Sequence, residues 1–299
     1  MTTQVLTLNK KLKNINWSII TLILPFIIFF VLFVILPVGG LLIKGFTNNN
    51  ELSFNIFGSK NMNYTLENYR KLFTNQYYFK MLFNSIFIPF CAILLSTIFG
   101  VPAAYVITRP NFEYRKIVRW FLSIPIYVAS VVSCYALFIF LAPYGIVNEI
   151  TKNISGHSLK LISNIPAVIL GMFYIIVPTY IRTVASSFEA INPDIAEASL
   201  SLGGSPFHTF KKILLPLALP GIFAASVLSM SFSMGMVVVF LILGGGTSKI
   251  PVISLEIMLK SISFSYDIPF SSAMATVLLM MALGTQTLMR RVTSRKERT

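Results

Sequence analysis

Residues Asn192 to Pro216 read NPDIAEASLSLGGSPFHTFKKILLP and form the longest polar interruption in the apolar second half of the chain. Asn192 can cap a first helix, and Pro193 suits the first helical position because its missing N–H would have no partner there. Glycine adopts the left-handed conformation without steric cost, so Gly203-Gly204 predicts the end of that helix. Ser205-Pro206 repeats the cap and the proline, and Pro216 is expected to end the second helix. The stretch therefore predicts two short helices joined at a glycine elbow.

Both predicted helices are amphipathic. On the first helix, Ile195, Ala198 and Leu202 recur at i, i+3 and i+7. Asp194 lies in its first turn, where the helix dipole favours a negative charge, and Glu197 lies on its polar side. Two interpretations remain open from this pattern alone. The pair could lie on the membrane surface as a helical hairpin, or it could be a docking element for a soluble partner.

Composition identifies the chain as an integral membrane protein. It has 299 residues, of which 55% are hydrophobic and 11% are charged, and its mean hydropathy is +0.77. Soluble globular domains carry about 25% charged residues. The formal net charge of +14 would suggest nucleic-acid binding in a soluble protein. Here most basic residues lie in short segments between apolar runs, so membrane topology explains them and nucleic acid is not an expected partner.

Six apolar runs are long enough to cross a bilayer, which takes about 20 residues. No open backbone can face lipid, so all six are expected to be helices in one all-α transmembrane domain covering residues 1–299. The runs are residues 18–43, 82–108, 119–142, 165–187, 217–243 and 269–289, and residues 188–216 form the loop between the fourth and the fifth.

Basic residues predict the orientation of the chain. If the N-terminus is inside, 15 of the 24 Lys and Arg residues fall on the cytoplasmic side, although the cytoplasmic segments are shorter in total. The positive-inside rule therefore predicts an N-in, C-in, multi-pass protein of the cell membrane. This orientation places loop 188–216 in the cytoplasm.

The fifth run carries a face of small polar side chains. Ser226, Ser229 and Ser233 recur at i, i+3 and i+7. Small residues let helix backbones approach closely, so helix packing is one interpretation of this face. The other is that the three serines line a translocation pathway.

Several other classes of protein fit poorly. An ion-coupled secondary transporter or channel remains the main alternative, but such proteins usually bury ionisable groups at membrane depth, and no charged residue lies near the centre of any run. A membrane enzyme or a metal site would need a constellation of reactive side chains, and no Cys/His cluster with metal spacing occurs. The chain has no Gly-Lys pair and hence no Walker A loop, so an ATPase driving it would have to be another chain.

The loop resembles a known motif. Glu197-Ala198-Ser199 is followed after three residues by Gly203 and after nine more by Ile213-Leu214-Leu215-Pro216. This spacing resembles the EAA motif of ABC-importer permeases, in which Ser199 would be a second alanine. The similarity extends over roughly residues 60–290 and is greatest to the branch that handles spermidine/putrescine, iron(III), thiamine and 2-aminoethylphosphonate. Single-length chains with six spans are more typical of its polyamine and aminophosphonate members.

The resemblance implies a type I ABC importer permease with no cofactor of its own. Its partners would be an ATP-binding cassette ATPase dimer, a second permease subunit, an extracytoplasmic substrate-binding protein and membrane lipid. Glu197 would meet a basic group in a cleft of the ATPase, and Gly203 would form the elbow. The residues that the resemblance assigns to ATPase coupling are Asp194, Glu197, Ala198, Ser199, Gly203 and Pro216.

Overall fold

Helices make up nearly all of the structure, a computed structural model that describes residues 17–48, 64–109, 114–157, 159–246, 249–262 and 267–296. Within these residues the extended pairing is limited to an isolated bridge between Thr47 and Tyr64. In chain order the helices are α1 (Trp17–Phe30), α2 (Leu36–Lys44), α3 (Glu67–Thr74), α4 (Gln76–Thr108), α5 (Arg115–Tyr127), α6 (Ser130–Leu141), α7 (Ile146–Ser155), α8 (Ile165–Glu189), α9 (Pro193–Ser201), α10 (Pro206–Thr209), α11 (Leu215–Met234), α12 (Val238–Ile242), α13 (Ile253–Ile262) and α14 (Ile268–Lys296).

The described part of the chain contains six candidate membrane spans, as the sequence predicts. The predicted fourth run, 165–187, lies within α8, and the sixth, 269–289, lies within α14. The second run, 82–108, begins six residues after the start of α4. The all-helical, six-span fold is thus confirmed. The orientation of the chain stays a prediction, and some of the basic residues behind it, in 1–16 and 297–299, lie outside the described residues.

The third and fifth runs are less regular than the sequence suggests. Run 119–142 falls on α5 and α6, which are separated at Val128 and Ala129, where the backbone is extended. Run 217–243 is interrupted after Met234, where α11 ends. Both interruptions consist of apolar residues and glycine, so a hydropathy pattern passes over them without a signal.

Two prolines follow wide turns instead of ending their helices. Pro216 was expected to end the second loop helix, and this expectation is wrong, because α10, a π-helical segment (Phe210–Leu214) and α11 run on as one helix. The same pattern precedes Pro37, where a π-helical segment (Val31–Ile35) joins α1 to α2. A proline ring collides with the carbonyl four residues earlier in a regular α-helix. Before Pro216 the turn is wider, since the Leu215 N–H bonds to the Phe210 carbonyl five residues earlier, so the regular α-helical spacing that produces this collision is absent.

The core of the bundle lies between α4, α8 and α11. Tyr180 of α8 is 1% exposed, and its hydroxyl lies 2.8 Å from the Thr97 Oγ1 of α4 and 3.1 Å from the Ser226 Oγ of α11. Gly221 of α11 meets Ser187 of α8 so closely that a Cβ at residue 221 would overlap the serine side chain. Polar and small residues therefore fix the crossing of the three central helices.

The connections at the far end of the bundle from loop 188–216 are anchored by buried polar side chains. Asn84 Nδ2 of α4 donates to the Pro251 carbonyl at 3.0 Å, and the Ile253 N–H donates to Ser85 Oγ at 2.9 Å. Asn68 of α3 donates to the carbonyls of Gly45 and Thr47. The first two bonds hold the start of α13 to α4, and those of Asn68 join α3 to the residues that follow α2.

Candidate coupling site

The first helix of loop 188–216 begins as the sequence predicts. Asn192 Oδ1 accepts a hydrogen bond from the Asp194 N–H at 3.0 Å, and Pro193 occupies the first turn of α9. The second helix has the same kind of start, since Ser205 Oγ accepts from the His208 N–H at 3.2 Å. The two predicted caps are therefore present. Each satisfies a backbone donor that has no partner within its helix.

The two glycines of the elbow have different tasks. Gly203 has a φ of +85°, in the left-handed region, and the space beside its Cα is open. Gly204 is not left-handed, but a Cβ there would lie 2.7 Å from the backbone oxygen of Ser199. Gly203 therefore supplies the conformation of the elbow, and Gly204 allows its two arms to approach closely.

Ser199 joins the two helices of the loop. Its Oγ lies 2.8 Å from Thr209 Oγ1, and Thr209 is completely buried. Ser199 is the residue at which the chain departs from the EAA pattern, and the sequence offered no role for its hydroxyl. Thr209 was missed altogether, because nothing in a spacing of ten residues across a glycine elbow predicts which side chains meet.

Most of α9 is exposed. Ala196 is 5% exposed and Ser199 is half-buried, and these two residues, one turn apart, face the rest of the chain. Asp194, Glu197 and Ala198 are exposed, and Leu202 is 89% exposed. The predicted apolar stripe of the helix is thus not covered by the described part of this chain. Such a surface, with two carboxylates among apolar side chains, suits contact with another molecule.

A cavity of about 270 Å³ separates α9 from the ends of the membrane helices. Its lining residues are Tyr105, Thr108, Arg109, Phe188, Glu189, Ile191, Asn192, Pro193, Ala196 and Leu214. Beside it, Arg119 pairs with Glu189 at 2.7 Å and donates to the Ile107 carbonyl at 3.2 Å. Arg119 therefore links the ends of α4 and α8, where the helix dipoles favour a positive charge.

The three serines of the fifth run lie inside the packed bundle. Ser226 is 7% exposed, Ser229 is 9% exposed and Ser233 is fully buried within this chain. Ser226 Oγ and Ser233 Oγ also donate to backbone carbonyls one turn earlier in α11. These contacts favour the packing interpretation of the face. The assignment of the three residues to a pathway stays a prediction.

No metal centre is evident where the structure describes the chain, since no three His, Cys, Asp or Glu residues there could hold an ion together. Pro216 is exposed on the continuous helix. The predicted coupling residues thus share one end of the bundle. Asp194, Glu197 and Ala198 form its surface, and Ser199 and Gly203 shape it from within the loop.

Residues 96–297 match the model of a protein family described as "Binding-protein-dependent transport system inner membrane component". The spermidine/putrescine transport system permease protein PotB of Haemophilus influenzae is 29% identical over 279 residues, which are 92% of each chain. PotB of Escherichia coli is 29% identical over 250 residues, covering 83% of this chain and 88% of that relative.

Solved structures show the same fold. A chain of a bacterial ABC transporter involved in the import of the acidic polysaccharide alginate matches with a TM-score of 0.74 and 21% identity, covering 96% of this chain and 99% of that one. A chain of the inward-facing MetNI methionine ABC transporter matches with a TM-score of 0.57 and 19% identity, covering 72% of this chain and 94% of that one. At these identities the similarity establishes the fold alone.

Proposed function

Since this chain belongs to the family of binding-protein-dependent transport system inner membrane components and is a permease subunit of an ABC importer, we propose that its substrate is a polyamine, spermidine or putrescine. The support is the extent of the match, since the PotB relative from Haemophilus influenzae aligns over 92% of both chains. The aminophosphonate alternative gains no such support, because neither PotB relative is named for that substrate.

The proposal includes a docking role for the exposed end of the bundle. The observation that carries it is α9, which is capped at both ends yet touches its own chain mainly through Ala196 and Ser199. A nine-residue helix is too short to be stable alone in water, and a partner that gave its exposed apolar surface cover would stabilise it. An ATPase subunit that received α9 in a cleft would supply this cover, with Glu197 meeting a basic group there.

Orientation and partners follow from that role. Docking of a cytoplasmic ATPase requires loop 188–216 on the inner side, which agrees with the N-in, C-in prediction from the basic residues. ATP would then bind to the partner subunits and not to this chain. A second permease subunit would complete the pathway, and an extracytoplasmic binding protein would deliver the substrate, as in the alginate transporter solved with its substrate-bound periplasmic protein.

The test is uptake by the reconstituted importer. The permease is purified from its native membranes with the ATPase and the binding protein that copurify with it, and the assembly is placed in proteoliposomes containing ATP. We expect uptake of labelled spermidine or putrescine that disappears when ATP is replaced by a non-hydrolysable analogue. If neither polyamine is taken up and the binding protein binds neither, the substrate assignment is refuted. Loss of ATPase copurification upon deletion of residues 193–201 would support the docking role, and unchanged copurification would refute it.

A further inference from the structure

Three aromatic rings meet where loop 188–216 joins the membrane helices. The ring centroid of Phe210 lies 4.4 Å from that of Tyr105 and 6.3 Å from that of Phe188, and the other two rings are 5.7 Å apart. Tyr105 is in the last turn of α4, Phe188 is in the last turn of α8, and Phe210 opens the π-helical segment that leads into α11. We call Tyr105, Phe188 and Phe210 the aromatic junction. Tilted and edge-to-face rings at such separations attract each other beyond their burial of apolar area.

The membrane side of the aromatic junction is held firmly. The Arg109 guanidinium carbon lies 4.3 Å from the centre of the Tyr105 ring, and Arg109 Nη2 donates to the Tyr105 hydroxyl. Phe188 is 7% exposed. Arg119 joins the same two helix ends through its bonds to Ile107 and Glu189. The ends of α4 and α8 therefore form one unit with several independent contacts.

The loop side is arranged differently. The cavity of about 270 Å³ lies directly between α9 and the ends of α4 and α8. This cleft is partly open to the surface, where its lining residues Asn192 and Pro193 are exposed, so close packing does not hold α9 against the helix ends on this side. Besides the chain connection 190–192, α9 contacts the rest of the chain through the buried Ala196 and through the Ser199–Thr209 hydrogen bond, and Thr209 is followed directly by Phe210. One path by which a push on α9 would reach the membrane helices therefore runs through Thr209 and the Phe210 ring.

The backbone at Phe210 suits such a transmission point. The π-helical segment Phe210–Leu214 begins at this residue and continues without a break into α11. π turns within α-helices occur frequently at functional sites. We propose that the aromatic junction is the positioning element that transmits movement between the ATPase-docked loop and helices α4, α8 and α11. This inference rests on the proposed docking of an ATPase at α9.

The test separates transmission from docking. In importers of this kind, the binding protein acts outside and ATP hydrolysis occurs inside, so stimulation of hydrolysis by the binding protein must pass through the permease. The measurement is ATP hydrolysis by the reconstituted complex with and without the copurifying binding protein and spermidine. Phe210→Ala should still copurify with the ATPase and retain the unstimulated rate. The stimulation should fall roughly tenfold, which corresponds to about 1.4 kcal/mol of activation free energy.

Matched variants distinguish the loss of the aromatic junction from the general effect of truncating a phenylalanine on this helix. Phe232→Ala truncates a 62% exposed ring on the same continuous helix and should leave the stimulation unchanged. Phe210→Tyr keeps the ring and should retain most of the stimulation, whereas Phe210→Leu keeps apolar bulk without the ring and should not. If Phe210→Ala fails to fold, Phe210→Leu and Tyr105→Leu provide the test. Combined, these two changes should reduce the stimulation no further than either change alone.

Each outcome decides a separate question. Full stimulation in Phe210→Leu and Tyr105→Leu would overturn the role of the aromatic junction while leaving the importer intact. A decrease in stimulation that merely tracks a lower thermal midpoint, and that Phe210→Tyr does not rescue, would also overturn it. A wild-type complex that contains the ATPase but shows no stimulation would overturn the role of the aromatic junction, whereas the docking role is decided by the copurification test. Stimulation without spermidine uptake would refute only the substrate assignment.

Discussion

Restoring the family's second alanine should weaken this protein. Ser199→Ala converts Glu197-Ala198-Ser199 to the EAA pattern, but it removes the hydroxyl that lies 2.8 Å from Thr209 Oγ1. Because Thr209 is completely buried, its hydroxyl would lose a partner that water cannot replace. A buried hydroxyl left unsatisfied costs about 1 to 3 kcal/mol. Rotation of the threonine hydroxyl toward the backbone carbonyl of Ser205 would recover part of that cost. We therefore expect Ser199→Ala to lower the local opening free energy of the loop by about 1 to 2 kcal/mol.

Removing the other hydroxyl of the pair, that of Thr209, should destabilise the loop less. Thr209→Val replaces the buried hydroxyl with a methyl group of nearly the same size and leaves Ser199, which is half-buried and can bond to water. We expect Thr209→Val to lower the local opening free energy by less than about 1 kcal/mol. In the double variant Ser199→Ala/Thr209→Val no polar group is left unpaired, so it should be more stable than Ser199→Ala alone. This reversal is the signature of a direct hydrogen bond between the two side chains.

Hydrogen exchange of the backbone amides in residues 193–209 measures the effect where it arises. A change of 1 to 2 kcal/mol in the local opening free energy corresponds to exchange that is roughly 5- to 30-fold faster. Ser201→Ala is the matched control, because Ser201 is exposed on the same helix. Unchanged or slower exchange in Ser199→Ala, or equal and additive effects of the two single changes, would refute the reasoning.

Three further outcomes test the loop and the core. Glu197→Ala should leave the permease inserted in the membrane but abolish most ATP-dependent uptake, and uptake at the wild-type level with normal ATPase copurification would remove Glu197 from the docking role. Gly203→Val should speed hydrogen exchange in the loop, because the φ of +85° at Gly203 is unfavourable for valine. Gly204→Ala should also speed exchange, because its Cβ would lie 2.7 Å from the backbone oxygen of Ser199. Unchanged exchange in Gly204→Ala would show that the two helices of the loop can separate freely. Tyr180→Phe should lower the thermal midpoint of unfolding only slightly, since interhelical hydrogen bonds in membranes contribute about 0.6 kcal/mol on average. A changed substrate affinity at unchanged stability would instead favour a translocation pathway near Ser226.

Two features of the helices carry no local signal in the sequence. Pro216 was expected to end a helix, because the rule that a proline stops a helix assumes a regular α-helical turn before it. The segment before Pro216, Phe210–Leu214, is π-helical, so the rule does not apply, and none of its residues predicts a wider turn. The third run is divided at Val128 and Ala129, and these apolar residues likewise give no signal of a break in the helix.

The caps, the elbow, the number of spans and the motif could all be deduced from the chain itself. A cap at Asn192 or a left-handed Gly203 depends on atoms a few residues apart, and a span depends on the composition of about 20 neighbouring residues. The Ser199–Thr209 bond, the burial of Ser233 and the convergence of Tyr105, Phe188 and Phe210 were decided only by tertiary structure. These contacts depend on the rotation and depth at which separate helices pack, and a one-dimensional pattern fixes neither quantity.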